Sequence, residues 1–342
     1  MIERTLSLEQ ATEVGRRILS ALGTPAAAAD LVARSLAEAN LCGHDSHGII
    51  RLPWYASFVP DGRAVPDAEP MIVSQTPAVA VIDGRRCWGQ VAAHLAIDVA
   101  MDKARSVGIG AVTVRSANHV GRLGEYVEVV AESGLVALMW CNADPSVAPF
   151  GGRSRMLGTN PFAVGIPADG DTPPVIVDFA TAAVAEGKLR LDRVAGRSVA
   201  PGLIQDVQGR PSTDPEDFYA GGSLLPFGGH KGFGVAITVE LLGGALSGNH
   251  VGFLPEYRWG NGVVLVVLDP AAFTDASAFA DEIVRASRAV RDSPPADGVD
   301  HVMLPGDLER ATRTERLNSG IPVPDGVWSQ LEATAQEVGV RL

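Results

Sequence analysis

The chain has 342 residues, 28 Lys and Arg against 40 Asp and Glu for a net charge of −12, 46% hydrophobic and 20% charged residues. That length holds one large domain or two medium ones with a sizeable core, and an acidic balance without a basic block argues against nucleic acid as a partner. Apolar runs fall well short of the roughly 18 residues of a membrane span, and the acidic, amphipathic start MIERTLSLEQ has no apolar signal core, so no membrane partner is expected. Three widely spaced cysteines, Cys42, Cys87 and Cys141, offer neither a disulfide framework nor a CxxC pair, which suits a reducing cytoplasm.

Ser7 and Gln10 read as a capping box, after which Leu8, Ala11, Val14, Ile18 and Leu22 recur at helical spacing until Gly23. Thr24 as cap and Pro25 at the first helical position open a second helix, Ala26 to Leu41, closed by Gly43. A short helix around Leu52 to Val59 precedes strands at Met71 to Ser74 and Ala78 to Asp83. From Gln90 a helix runs to Val107. It is followed by the strand AVTVR, the polar loop SANHVGRLG, a helix to Ser133 and the buried strand LVALMW, so the middle region alternates β and α. Residues 142–161 have almost no periodicity and form a long structured loop. Strands Phe162 to Ile166 and Val175 to Phe179 come next, then a helix from Thr181, a helix from Lys231 to Leu246 and a buried strand from Gly262 to Leu268. Beyond Pro270 the pattern returns to amphipathic helices, with start signals at Pro305-Gly306-Asp307 and at Pro322 to Asp325. Helical ends flanking a mixed middle suggest a helical domain from residues 1–75 plus 270–342, around a sheet region, 76–269.

Absences remove whole classes of chemistry. No G-x-G-x-x-G follows a strand and no Walker A sequence occurs, so a nucleotide coenzyme binds outside the standard Rossmann turn if it binds at all. The seven histidines are scattered and show no zinc spacing, and no metal site is expected. Four segments concentrate polar residues and glycines. In Gly43-His44-Asp45-Ser46-His47-Gly48-Ile49-Ile50-Arg51, a helix re-entered at Ile49 puts His47 and Arg51 on one face. A titratable proton donor beside a guanidinium fork suits a 2-oxo acid; the plainer reading is a polar loop in which a histidine caps backbone. In Asn118-His119-Val120-Gly121-Arg122-Leu123-Gly124, helix N-terminal N–H groups with Arg122 make an anion site for a pyrophosphate, or the glycines simply serve a turn. Thr159 is placed to hydrogen-bond a substrate, while Asp178 reads better as the cap of the helix that follows it. His230-Lys231 opens a glycine-rich helix start where Lys231 either meets a phosphate or carboxylate or is solvated, and Glu240 further on reads as a satisfied core carboxylate.

In this order and spacing, GHDSHGIIR, NHVGRLGEY, LGTNP, DFATAAVAEGK and LPFGGHKGFG resemble the malate/L-lactate dehydrogenase family that lacks the Rossmann fold, along nearly the whole chain from Leu6 to LPGDLER. Ureidoglycolate and sulfolactate dehydrogenases and cyclic ketimine reductases share that family, and NLCGHDSHGI and NHVGRLGEY look nearest to the bacterial hydroxycarboxylate dehydrogenases. The resemblance implies an α/β (α+β) fold with a mixed, largely antiparallel sheet that binds NAD or NADP, a helical domain from both termini, and a homodimer. Position by position, it makes His47 the proton donor, Ser46 its relay partner, and Arg51 and Thr159 substrate contacts. Coenzyme contacts fall on His119, Val120, Gly121, Arg122 and Leu123, on Asp178, Phe179 and Ala180, on His230 and Lys231, and on the stretch Leu304, Pro305, Gly306, Asp307 to Arg310. One departure stands out: where the ketimine reductases look to carry a relay Asp, this chain has Lys188, counted here with the catalytic residues.

The sequence therefore reads as an NAD(P)H-dependent reductase of a small 2-oxo acid, reversible as a 2-hydroxy acid dehydrogenase. The alternative within the oxidoreductases is reduction of a cyclic imino acid such as piperideine-2-carboxylate. A serine hydrolase using Ser46 and His47 is a distant alternative, because the two are sequence neighbours and GHDSHG lacks the G-x-S-x-G elbow.

Overall fold

The structure, a computed structural model, describes residues 4–194 and 196–342. Strand β1 (Arg4–Leu6) leads into α1 (Leu8–Ala21). The capping box sets that helix start: Ser7 N donates to Gln10 Oε1 at 2.8 Å and Gln10 N to Ser7 Oγ at 3.2 Å, worth about 1 kcal/mol. Helix α2 (Ala26–Leu41) follows with the predicted bounds, but Thr24 does not cap it. Pro25 takes the cap position, and the Thr24 hydroxyl accepts from Trp88 Nε1 at 2.8 Å, since a buried indole N–H needs a partner. Two 3₁₀ turns, Asp45–His47 and Ile49–Arg51, connect to α3 (Leu52–Ala56).

Strands β2 (Met71–Gln75) and β3 (Val79–Asp83), α4 (Gly89–Val107), β4 (Ile109–Ala117), α5 (Leu123–Glu132), β5 (Val136–Cys141), β6 (Phe162–Ile166) and β7 (Val175–Phe179) lie close to where periodicity and turn residues put them. The next helix begins later than expected: α6 spans Glu186–Val194, and 181–185 are irregular. The Thr181 hydroxyl is committed to the carbonyls of Thr159 and Asn160, at 3.0 and 3.1 Å, which holds the chain against the preceding loop in place of a helical turn. Strands β8 (Ile204–Gln205) and β9 (Pro211–Ser212), helix α7 (Pro215–Tyr219) and strand β10 (Ser223–Leu224) form a small lobe. Helix α8 (His230–Glu240) runs into a π turn, Leu241–Leu246, before β11 (Asn261–Leu268). The remainder contributes α9 (Ala276–Arg291), α10 (Asp307–Ser319), β12 (Ile321–Val323) and α11 (Asp325–Glu337).

The large sheet has the strand order β2-β3-β4-β11-β5-β6-β7. Among the described residues its only parallel neighbours are β3 and β4, which α4 connects; the other pairs are antiparallel. This is the mixed, largely antiparallel α/β architecture, and it differs from a doubly wound nucleotide-binding sheet. Ala80, Ile82, Val112, Val114, Ala137, Met139, Val263 and Leu265 point into one core with the small residues Ala92, Ala93, Ala96 and Ala100 of α4 and with Tyr126, Val127 and Val130 of α5. Two glycines permit that approach: a Cβ at Gly110 would fall 2.0 Å from Ala100 O, and one at Gly165 2.1 Å from Val127 O.

A second core joins the two ends of the chain. Strand β12 pairs antiparallel with β1, Leu6 opposite Ile321, and Ile18, Leu19, Leu36, Leu41 and Tyr55 pack with Trp328 and Leu331. Strand β2 is an edge strand of the large sheet, so the sheet reaches back to Met71. A smaller third core holds Val147, Leu157, Leu189, Ile204, Phe218 and Leu224. Among the described residues, no helix is long and apolar enough to cross a membrane.

Candidate active site

The loop after α2 is held from two sides. Asn40 Oδ1 accepts from Ile49 N at 2.9 Å, Asn40 Nδ2 donates to Asp45 Oδ1 at 2.7 Å, and Arg316 of α10 forks onto the Asp45 carboxylate at 2.7 and 3.1 Å. A Cβ at Gly48 would fall 2.0 Å from Asn40 Oδ1, so the loop passes here only as glycine. These constraints produce two 3₁₀ turns in place of the single helix from Ile49, and His47 and Arg51 are not i,i+4 neighbours on an α-helix. They are drawn together differently. Arg51 Nε donates to Ser46 O at 2.5 Å, and the Ser46 hydroxyl lies 3.1 Å from His47 Nδ1. The Arg51 guanidinium sits 5.1 Å over the Trp54 ring.

Residues from distant elements complete this corner. His119, just beyond β4, stacks on His47 at 5.5 Å and 20°, and Trp54 meets His119 edge-on at 5.6 Å. His119 Nδ1 lies 2.8 Å from Tyr55 Oη, which accepts from Gln90 Nε2 at 2.9 Å. Tyr55 and Gln90 are buried, burial pushes the Tyr55 phenol well up and keeps it a neutral hydroxyl, and the His119 carbonyl lies 3.4 Å from it as an acceptor. Burial, reinforced by the Arg51 charge, pushes His47 down to about 3 and holds His119 well below its ordinary value. Both imidazoles are neutral at pH 7. In the free protein His47 is therefore a neutral base and not a cation.

Asp178 does not cap a helix following it. Its Oδ2 accepts from Gly124 N at 2.7 Å, so it meets the first turn of α5 across space and supplies the negative charge favoured there. Burial raises the Asp178 pKa, with the Arg122 charge opposing. Arg122 itself is buried, 3.5 Å from Glu128, and its Nε has no partner among the described residues. Val120 N donates to Asn261 Oδ1 at 3.0 Å, Gly121 has φ +81°, Leu123 is buried at the start of α5, and Phe179 stays partly exposed at the end of β7 beside half-buried Ala180. His44 lies 3.4 Å from Glu309 of α10.

The Thr159 carbonyl accepts from Thr181 N at 2.8 Å, and Phe227 N donates to Thr181 O at 3.0 Å, linking the Thr159 loop and the Asp178–Ala180 stretch to the start of α8. Underneath, buried Glu240 accepts from Asn142 Nδ2, Gly252 N and Asn160 Nδ2 at 3.1, 2.7 and 2.8 Å, the satisfied core carboxylate expected. His230 and Lys231 stand exposed at the first turn of α8, beside a groove of about 380 Å³ lined by Phe150, Phe227 and Gly229. In 304–310, Asp307 pairs with Arg291 and Arg310, both at 2.8 Å, Leu304 N donates to Asp307, and Pro305 O accepts from Ile176 N at 3.1 Å, so this stretch steadies the strand that carries Asp178. A Cβ at Gly306 would meet Ile176 at 3.1 Å. Lys188 is exposed. The preceding Gly187 is what reaches the corner, where a Cβ would come within 2.6 Å of Ser46 Cβ.

Trp54, Tyr55, Gln90 and the grip of α10 on the loop were not read from the sequence. Tyr55 and Gln90 are 35 residues apart, so no local motif joins them; the one local hint is an aromatic pair following Arg51.

A sequence model described as malate/L-lactate dehydrogenase matches residues 6–332. Hydroxycarboxylate dehydrogenase B of Escherichia coli (strain K12) is 37% identical over 334 residues, 93% of this chain and 90% of that protein. The solved sulfolactate dehydrogenase from Methanocaldococcus jannaschii superposes with a TM-score of 0.90 at 32% identity, covering 99% of this chain and 98% of that one. The solved delta1-piperideine-2-carboxylate reductase from Pseudomonas syringae pvar. tomato gives 0.84 at 34% identity, covering 97% and 100%.

Proposed function

The chain belongs to the malate/L-lactate dehydrogenase family, and from that footing we propose that it reduces a small 2-oxo acid reversibly to the 2-hydroxy acid, as an oxidoreductase acting on CH–OH with NAD or NADP. The observation that carries this reading is the convergence of Ser46, His47 and Arg51 against His119 in one half-buried corner. Arg122 keeps an orphan buried Nε, and the first turn of α8 leaves backbone N–H groups beside exposed His230 and Lys231; both features fit a dinucleotide's phosphates. The bound nicotinamide would supply or accept the hydride.

The chain's own residues do the rest. Arg51, with Nε fixed on Ser46 O, presents its Nη groups to the substrate carboxylate as a planar fork. In oxidation, neutral His47 takes the hydroxyl proton at Nε2 while its Nδ1–H donates to Ser46. In reduction, the carboxylate at Arg51 offsets the positive charge that depresses His47, so a proton taken up there is passed to the developing alkoxide. Thr159 is assigned to the substrate and Lys188 to the rim. The three free, buried cysteines support a cytoplasmic setting. Exposed Leu241 and Leu246 on the turn after α8 support assembly, taken here as a homodimer.

Reduction of a cyclic imino acid is the second reading, favoured by the likeness to the piperideine-2-carboxylate reductase. The chosen reading rests on the likeness to hydroxycarboxylate dehydrogenase B at 37% identity, against 34% for that reductase; Lys188 is exposed and carries no part of the choice. Loss of NAD(P)H absorbance with pyruvate, oxaloacetate and phenylpyruvate, beside piperideine-2-carboxylate, tests it. Consumption with an open-chain acid is expected, and a clear advantage for the cyclic imine would promote the second reading.

A further inference from the structure

A second concavity, of about 490 Å³, lies beside Asn118 and is lined by Arg63, Arg86, Asn249, His250, Arg258 and Trp259, with Glu256 as its one acidic side chain. In a chain of net charge −12, three arginines facing one glutamate across a pocket are a local reversal of sign. Arg63 is paired with Asp61 at 2.7 Å. Arg86 and Arg258 have no carboxylate partner among the described residues; each donates one Nη to a carbonyl, Gly62 O and Pro255 O respectively, both at 2.9 Å. Their remaining N–H groups are free to point at a ligand, in the fork geometry that suits carboxylate and phosphate.

Two further observations fall on the same pocket. The Asn249 side chain is 9% exposed; its Oδ1 accepts from Ser116 N at 2.9 Å, which fixes the amide orientation and leaves Nδ2 buried with no acceptor. An orphan buried donor of that kind costs about 1–3 kcal/mol and asks for an acceptor. The backbone is also strained here. Among the described residues, five that are not glycine have positive φ, and three of them, Arg86 at 66°, Ser116 at 54° and His250 at 69°, line this pocket. Such conformations persist where their surroundings over-determine them, and they gather at ligand sites.

We propose that this pocket binds a small dianion bearing phosphate or carboxylate groups, held by Arg86 and Arg258 with Asn249 at its floor. The site is separate from the His47 corner and does not rest on the oxo acid assignment. The two are structurally adjacent: Asn118, whose neighbour in sequence is His119, donates to Arg86 O at 2.9 Å and accepts from Trp259 Nε1 at 3.3 Å.

The test is calorimetric titration of inorganic phosphate, and separately of succinate, into the full chain saturated with NADH, at constant ionic strength set by chloride. Coenzyme present throughout keeps its own phosphate contacts filled. The wild type is compared with the double variant Arg86→Ala, Arg258→Ala, both exposed positions outside the catalytic corner. Saturable binding in the roughly millimolar range is expected for at least one anion, weakened about tenfold or more in the double variant, with its turnover in buffer free of phosphate and succinate unchanged. The tighter anion names the acid group of the natural ligand. No saturable binding of either anion up to about 50 mM, or equal affinity in the double variant, would overturn the proposal.

Discussion

Binding of a 2-oxo acid should draw a proton into the protein. His47 is held at about 3 by burial and by Arg51, so at pH 7 only about one His47 in ten thousand carries a proton. A unit charge about 5 Å away at an effective dielectric of about 20 is worth about 3 kcal/mol, or about two pKa units. A carboxylate seated on Arg51 therefore lifts His47 to about 5, giving about a quarter of a proton per site at about pH 5.5 and almost none above pH 7. The assay is titration of oxamate, an unreactive 2-oxo acid analogue, into NADH-saturated protein in buffers of differing ionisation enthalpy, with His47→Asn alongside. Uptake should rise as the pH falls and vanish in the variant. A pH-independent binding heat corrected to zero uptake, or uptake undiminished in His47→Asn, refutes the coupling between Arg51 and His47.

Arg51→Lys should raise the Michaelis constant for the oxo acid by about 10- to 100-fold with coenzyme affinity within a few fold, because an ammonium cannot replace the planar fork; equal losses in both constants would make Arg51 structural. Tyr55→Phe removes the donor to His119 and strands Gln90 Nε2, so denaturant titration should show a loss of about 1–3 kcal/mol in stability; an unchanged midpoint would mean that chain carries no energy. His47 and His119 titrate below their unfolded values, so their contribution to stability is full above about pH 6.5 and is lost as the pH falls, for His47 down to about 3. Each costs up to about 1.4 kcal/mol per pH unit in that window, and His47→Asn should flatten the acid limb of stability by one proton; an identical slope in the variant would place a charged His47 in the native state.

Elements with strong local signals were legible. The Ser7 capping box, the short apolar runs of β6 and β7 and the periodicity of α4 each depend on residues a few positions apart. Thr24 and Asp178, read as caps, and Thr181, read as a helix start, misled for one reason: each hydrogen-bonds a group elsewhere, at Trp88, Gly124 and the Thr159–Asn160 carbonyls. Strands β1 and β12 are three residues long and exist only as a pair across 315 positions, so no period announces them. At the site, the motif GHDSHGIIR placed His47 and Arg51 together, while its actual path, two 3₁₀ turns, is set by Asn40 and by Arg316 from α10. The neutral state of His47 was likewise invisible, because the depressed pKa arises from burial and the Arg51 charge, and His119, which stacks on the ring, comes from a distant element.

The most direct test of the account is the turnover of His47→Asn with the 2-oxo acid that the wild type reduces best, at saturating NAD(P)H, measured with coenzyme affinity by fluorescence titration. Asparagine keeps a polar group of similar reach and cannot carry the proton. Turnover should fall by about 10²- to 10⁴-fold, the range usual for loss of a general acid, while coenzyme affinity stays within a few fold. Wild-type turnover in the variant would contradict the assignment of His47 as the group that delivers the proton.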